Sequence, residues 1–427
     1  MIRLKSCSVS LTPDHPMPLI PDGGGLRVHD RVDGELEAVF MLLSDGRDSV
    51  LIGSIDTLFL TERFSCDIRM ALGSLGLPLF LFATHTHTAP SLSPDFPRLG
   101  QPDPEWYRCC VSSCARAIET LFGSRMAGEP VAVRYGEQRT RLNINRRRPA
   151  WVLDYPLLLR ERRFVFEKRV ALAANNRGFV DPRLRAVVME DRNGSVRGII
   201  WSLAAHPSRY PHIRHVSPDY PGLIRNALRR RLGQDCAVVY IPGLAGSAIP
   251  NFPWNLPPTA KDACLSLLPF FPVSLPVSAE TYHAWVQRVL AVILQVCGNK
   301  KGLVNRPQIS TAYANLAGVF HSRSTAADNL DLHIARLSLA GDLDILAFNG
   351  EMVCEWLPLL EPVTTGNVLF SGYLTGPAMY VPTSSQIPEG GYEVTGFQEL
   401  FGVEGTFSPD ITQRVVSAVD RLWTSGK

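Results

Sequence analysis

Three apolar runs, each closing on residues that can bind a metal, set the pattern of this chain. From Leu77 to Ala83 almost every position is apolar and none is charged, and the run gives way to Thr84-His85-Thr86-His87-Thr88 before breaking at Ala89-Pro90. A charge-free run of this length, bounded by turn residues, reads as a strand buried on both faces. Side chains alternate along a strand, so His85 and His87 are expected to share one face at its end. A second run, from Val196, closes on His206, and a third, Leu343 to Phe348, leads into Asn349-Gly350-Glu351.

The same pattern places the other elements. Glu37 to Leu43 and Val50 to Asp56 flank Ser44-Asp45-Gly46-Arg47, a hairpin signature. Trp106, Cys110, Cys114, Ile118 and Leu121 recur every three or four residues, which predicts a helix from Pro104 to Phe122. Strands are expected at 131–133, 142–145, 184–189, 237–241, 308–313, 331–338 and 368–373. Helices are expected from the turn at 217–222 to Leu232, from Glu280 to Cys297, and from Asp410 to Trp423. A proline in the first turn and an acidic residue nearby suit the start at Asp219. Pro242 to Ser247 forms a glycine-rich elbow after a strand. Residues 150–180, polar and rich in Arg, read as an irregular surface excursion. Residues 250–278, rich in proline and aromatics, read as an ordered flap or insertion. Strands and helices alternate throughout without a boundary, so the expected fold is α/β: one large domain spanning 1–427, with mixed β-sheets flanked by helices and a metal site at strand ends.

Composition narrows the classes. With 427 residues and 45% hydrophobic content the chain can bury a large core. A net charge of +3 and a charged fraction of 19% are too balanced to announce a nucleic-acid partner or strong attraction to anionic lipid. No apolar run is long enough to span a bilayer, and no apolar segment follows Met1-Ile2-Arg3-Leu4-Lys5 as a secretory signal would require. The nine scattered cysteines, an odd number, fit reduced thiols. A cytoplasmic protein without stable membrane insertion is expected.

His85, His87, His206 and Glu351 thus stand at the ends of separate strands. Two histidines, a carboxylate and an open position are a common catalytic zinc set. Taken singly, each has a plainer reading: His206 as a hydrogen-bonded core residue, Glu351 as an acid favoured near a helix N-terminus, and the triple Arg146-Arg147-Arg148 as a solvated turn.

In order, Ser10-Leu11-Thr12-Pro13, Thr84-His85-Thr86-His87, Asn143-Ile144-Asn145-Arg146, His206-Pro207, Asp219-Tyr220-Pro221-Gly222, Gly350-Glu351, Tyr380-Val381-Pro382-Thr383 and Gly391-Tyr392-Glu393 run nearly the length of the chain. With this order and spacing the sequence resembles the neutral/alkaline ceramidases, zinc-dependent amide hydrolases that cleave the N-acyl bond of ceramide. The resemblance implies Zn2+ held by His85, His206, Glu351 and Tyr380. It implies that His87, Arg146 and Tyr392 face the substrate, polarising the carbonyl and stabilising the oxyanion. Arg147 and Arg148 stay on the surface by default. One motif departs: where the ceramidases carry Gly-Asp-x-Ser-Pro-Asn, this chain has Gly246-Ser247-Ala248-Ile249-Pro250-Asn251. Ile249 stands in place of the serine proposed as catalytic, which excludes a serine nucleophile there. Neither the long C-terminal β-domain of full-length ceramidases nor their secretory signal has a counterpart in this sequence.

The expected function is therefore zinc-dependent hydrolysis of an amide bond in a soluble acylated small molecule rather than ceramide. Alternatives are a zinc-dependent lactone or ester hydrolase, an acyl transferase or cyclase of small-molecule biosynthesis, and a catalytically silent metal-containing binding protein.

Overall fold

The computed structural model describes residues 1–20, 27–73, 76–123, 128–153, 159–252, 277–299, 302–304, 308–323, 330–376 and 379–424. Most of the 250–278 segment lies outside them.

An eight-stranded sheet runs in the order Ala237–Tyr240, Val196–Ser202, Arg183–Glu190, Glu129–Arg139, Ile2–Ser10, Glu37–Ser44, Ser49–Ile55, Leu79–Ala83. Its centre is antiparallel, and both outermost pairs are parallel. A parallel neighbour needs a crossover. Helix Asp219–Leu232 provides it on one side and helix Glu62–Leu72 on the other. The latter was not legible as a helix, because it buries only Phe64 and Ile68, too narrow a stripe to stand out.

A five-stranded sheet, ordered Asn367–Ser371, Leu343–Phe348, Leu330–Ala340, Ser310–Ser322, Gly405–Phe407, packs on the first. Strand alternation shows how. Val39, Met41 and Leu43 share one cluster with Leu337, Ile345 and Leu369 of the second sheet, while Ala38, Phe40 and Leu42 pack with Phe64, Ile68, Cys110 and Cys114 of two helices. A strand covered on both faces must be apolar at successive positions, which is why Glu37 to Leu43 shows no polar alternation. Helices Asp219–Leu232 and Ala279–Gly298 cover another part of the first sheet, and helix Ile411–Thr424 covers the outer face of the second. The result is a mixed α/β single domain layered helix, sheet, sheet, helix. Each large side chain buried in it contributes about 1.5–3 kcal/mol of transfer free energy.

Among the described residues eight cysteines are free, and Cys66 and Cys109 are exposed rather than buried. Two expectations need correction. The run from Val196 stops being a strand at Ser202, four residues short of His206. The 150–180 segment is not an irregular excursion throughout: Asn143–Leu153 and Phe166–Asn175 form an antiparallel ribbon, joined at its base by Ala248–Pro250. Its basic residues concealed the strand pattern, because Arg148 and Arg169 alternate with the face of Pro149, Trp151 and Val170 while Arg147 and Lys168 interrupt that face.

Candidate functional site

The site lies where strands of both sheets end together. Leu79–Ala83 delivers His85 and His87, and the loop after Val196–Ser202 delivers His206. Leu343–Phe348 leads to Glu351, and the chain after Asn367–Ser371 returns with Tyr380. The carboxyl ends of parallel strands are where open α/β sheets usually place ligands. Here the two sheets are stitched at that end: the Ala83 N–H donates to the Tyr373 carbonyl at 3.1 Å and the Thr375 N–H to the Leu81 carbonyl at 3.0 Å. A two-residue parallel ladder sets Glu351 beside Tyr380.

His85 and His87 do not meet by strand alternation, as the sequence pattern implied. His85 adopts a left-handed backbone with φ of 65°, an uncommon state for a residue with a Cβ, and its N–H is held by the Thr57 carbonyl at 2.9 Å. This kink, rather than the pleat, turns the ring inward. The Leu58 carbonyl lies 2.9 Å from His85 Nδ1, a contact that suits the tautomer with its proton on Nδ1 and Nε2 turned to a metal. That nitrogen lies 3.0 Å from His206 Nε2, which in turn lies 3.1 Å from His87 Nε2. The ligand atoms of the three histidines all fall within 4.8 Å of one another. Burial, reinforced by Arg146 and the neighbouring imidazoles, holds His206 and His87 well below the usual histidine range, so both rings are neutral. His87 is the partly exposed member of the three.

Glu351 is buried beside them, with Oε2 3.4 Å from His85 Nε2 and 3.9 Å from His206 Nδ1. The Tyr373 hydroxyl, also at 3.4 Å, completes its surroundings. None of these is a close charge-assisted contact. This donor set of imidazole nitrogens and carboxylate oxygen fits a divalent cation.

The rest of the site is already balanced. The Arg146 guanidinium donates to the Tyr380 hydroxyl at 2.9 Å and to Glu393 at 3.0 Å, and lies 5.8 Å from the Tyr392 ring centre. Burial would weaken its charge, but Tyr380, Glu393 and Glu351 outweigh that and hold it protonated. Burial raises the Tyr380 hydroxyl well above the usual phenol range, so in this state it is neutral. Arg147 is not on the surface. It is buried, donating to the other Glu393 oxygen at 2.9 Å, to Glu389 at 3.0 Å and to the Gly390 carbonyl. Arg146 and Arg147 sit on opposite faces of one strand, and Glu393 reaches both because it stands in a π-helical turn, Tyr392–Gly396, against the ribbon. Arg148 is exposed as expected.

All seven residues expected at the site are therefore near one another, in two halves: His85, His87, His206 and Glu351 in one, and Arg146, Tyr380 and Tyr392 in the other. His87 sits within the imidazole cluster instead of standing apart from it. Glu393, Arg147 and Tyr373 were missed as contributors. The only sequence signal for Glu393 was its place after Tyr392. The elbow is structural. Ser247 is fully buried, donates to Glu355 at 2.6 Å and accepts the Cys354 N–H at 2.9 Å. Gly246 is needed for close approach, since a Cβ there would lie 2.6 Å from the Glu351 carbonyl oxygen. Ile249 is buried opposite Ile144.

No protein-family model matches the chain, and no curated protein matches it in sequence. Solved structures do match. The neutral ceramidase from Pseudomonas aeruginosa superposes with a TM-score of 0.73 at 14% identity, over 99% of this chain and 74% of that one. A ceramidase complexed with C2 superposes with a TM-score of 0.71, also at 14% identity, over 99% of this chain and 75% of that one. At this identity the likeness speaks for architecture alone, and over nearly its whole length the chain has the fold of the neutral ceramidases.

Proposed function

We propose that this protein is a zinc-dependent hydrolase that cleaves the amide bond of an acylated small molecule. The observation that carries the reading is the buried cluster of His85, His87 and His206 with the Glu351 carboxylate beside two of them, in a ceramidase fold. His85, His206, Glu351 and Tyr380 would hold the ion. When bound, zinc lowers the pKa of water to about 7 and polarises a carbonyl.

The chain's own groups supply the remainder. Arg146, held protonated and fixed by Glu393, would donate to the oxygen on which negative charge develops, and the Tyr392 hydroxyl, whose ring lies beside that guanidinium, would add a second donor. Each such donor accounts for roughly 2.7–4 kcal/mol of barrier where it has been removed from other enzymes. His87, neutral and the partly exposed member of the cluster, would take a proton and pass it to the leaving amine.

The close grouping of the histidines favours a second assignment, with His87 as a ligand in place of Tyr380. Elemental analysis separates the two. Zinc retained in His87→Ala and lost in Tyr380→Phe supports the first, and the reverse supports the second. A hydrolysis screen over N-acyl amines, N-acyl amino acids and lactones tests the bond. Turnover of lactones alone would move the protein to the ester class, and zinc without turnover of any would favour a binding role.

A further inference from the structure

Charge along this chain is unevenly placed. Residues 146–177 hold nine Arg or Lys against three Asp or Glu, a net +6, whereas the whole chain carries only +3. The remainder is therefore slightly acidic, and the small total hides a basic segment. That segment is the ribbon Asn143–Leu153 and Phe166–Asn175.

Its register sorts the side chains. Phe166 pairs with Leu153, Lys168 with Trp151, Val170 with Pro149 and Leu172 with Arg147, and paired residues lie on one face. That face is thus Pro149, Trp151, Leu153, Phe166, Val170 and Leu172, with Lys168 among them. At one end it is anchored: Arg147 is buried on Glu393, and Val170 packs so close to Gly391 that a Cβ there would sit 3.0 Å away. Towards the other end it is bare. Trp151 is 57% exposed, and Phe164 and Leu159, beyond the strand ends, are 73% and 79% exposed. Six residues of strand span roughly 20 Å. The apolar face therefore begins at the lip of the candidate site and leads away from it, with the exposed Lys168 on it and the exposed cations Arg160, Arg162 and Arg163 beyond its far end.

We propose that this ribbon is a reversible docking element for an anionic lipid surface. Exposed Trp and Phe with interleaved Arg and Lys suit an interface that is apolar below and negatively charged above. An acidic protein or a nucleic acid would engage the cations but leave exposed leucine and phenylalanine without reward. No helix among the described residues is long and apolar enough to cross a membrane, so the attachment is peripheral. The docking stands whether or not the catalytic reading holds.

Co-sedimentation of the full chain with phosphatidylcholine vesicles, with and without phosphatidylglycerol, tests it. Binding is expected only when the anionic lipid is present, and to fall at high salt. Trp151→Ser and the triple change Arg160→Ser, Arg162→Ser, Arg163→Ser should each weaken it at least tenfold, with unchanged thermal melting and metal content. Two results would overturn the proposal. One is equal sedimentation of wild type and both variants, at any level. The other is a wild-type dimer in light scattering that Trp151→Ser dissociates, which would make the face a contact between copies.

Discussion

The two halves of the candidate site handle buried charge in opposite ways. Around Arg146, two guanidiniums, two glutamates and a tyrosine hydroxyl neutralise one another through contacts near 3 Å. Around Glu351, the carboxyl group lies beside the His85 and His206 rings, with no contact to either closer than 3.4 Å. The first half is a finished set of donors. The second is a donor set that fits a cation. Asp219 shows the other way out of the same difficulty: it too is buried without a cation, but burial pushes its carboxyl up to about 6, against the hydrogen bonds it receives from Tyr282 and the Tyr220 N–H. Burial shifts Asp219 towards its protonated form, and metal binding is the resolution proposed for Glu351.

The strongest way to break this contrast is to remove a ligand. His85→Ala and His206→Ala should lose the metal, and with it all measurable hydrolysis. Zinc content equal to wild type in both proteins would sink the ligand assignment. Arg146→Ala acts on the finished half, so it should keep the metal yet lower turnover by roughly a hundred- to a thousandfold. Tyr392→Phe should act in the same direction. Turnover like wild type in either variant would remove that residue from the mechanism.

Glu393→Gln leaves two buried guanidiniums short of their shared counter-ion. Breaking a buried pair costs about 3–5 kcal/mol, to be read from the urea midpoint, and kcat should fall as Arg146 loses its anchor. A midpoint shift below about 1 kcal/mol would show that the pair is not balanced as described.

The contrast with Asp219 is tested by pH. A folded pKa raised from about 3.9 to about 6 makes this group stabilising below the unfolded value, and that contribution is lost as pH rises through the folded one. The size is about 3 kcal/mol across pH 4 to 6. Asp219→Asn should flatten this part of the stability profile, and an unchanged slope in the variant would refute the claim. The smallest effect belongs to Ser247→Ala. It should cost about 1–2 kcal/mol through its lost hydrogen bonds to Glu355 and Cys354 and leave kcat nearly intact. A loss of turnover as large as that of Arg146→Ala would make Ser247 part of the chemistry after all.

Local pattern alone carried much of this. The hairpin at Glu37 to Asp56, the helices at Pro104 and Glu280, and the strands leading to His85 and Glu351 were legible because periodicity is set by which faces a short segment buries. That Ile249 offers no nucleophile where the resemblance implies a serine was legible too, since the residue type alone decides it. What only the tertiary structure decided depends on partners far along the chain. Arg147 looked like a surface charge until Glu393, 246 residues away, was found beneath it. His87 joined the imidazole cluster because His85 takes a left-handed turn fixed by the carbonyls of Thr57 and Leu58, not because of strand alternation. The ribbon was hidden because arginines serve equally in a loop or on a strand. A residue's type and spacing state what it can bury or bind, but the counter-charge that lets it do so is brought by the fold.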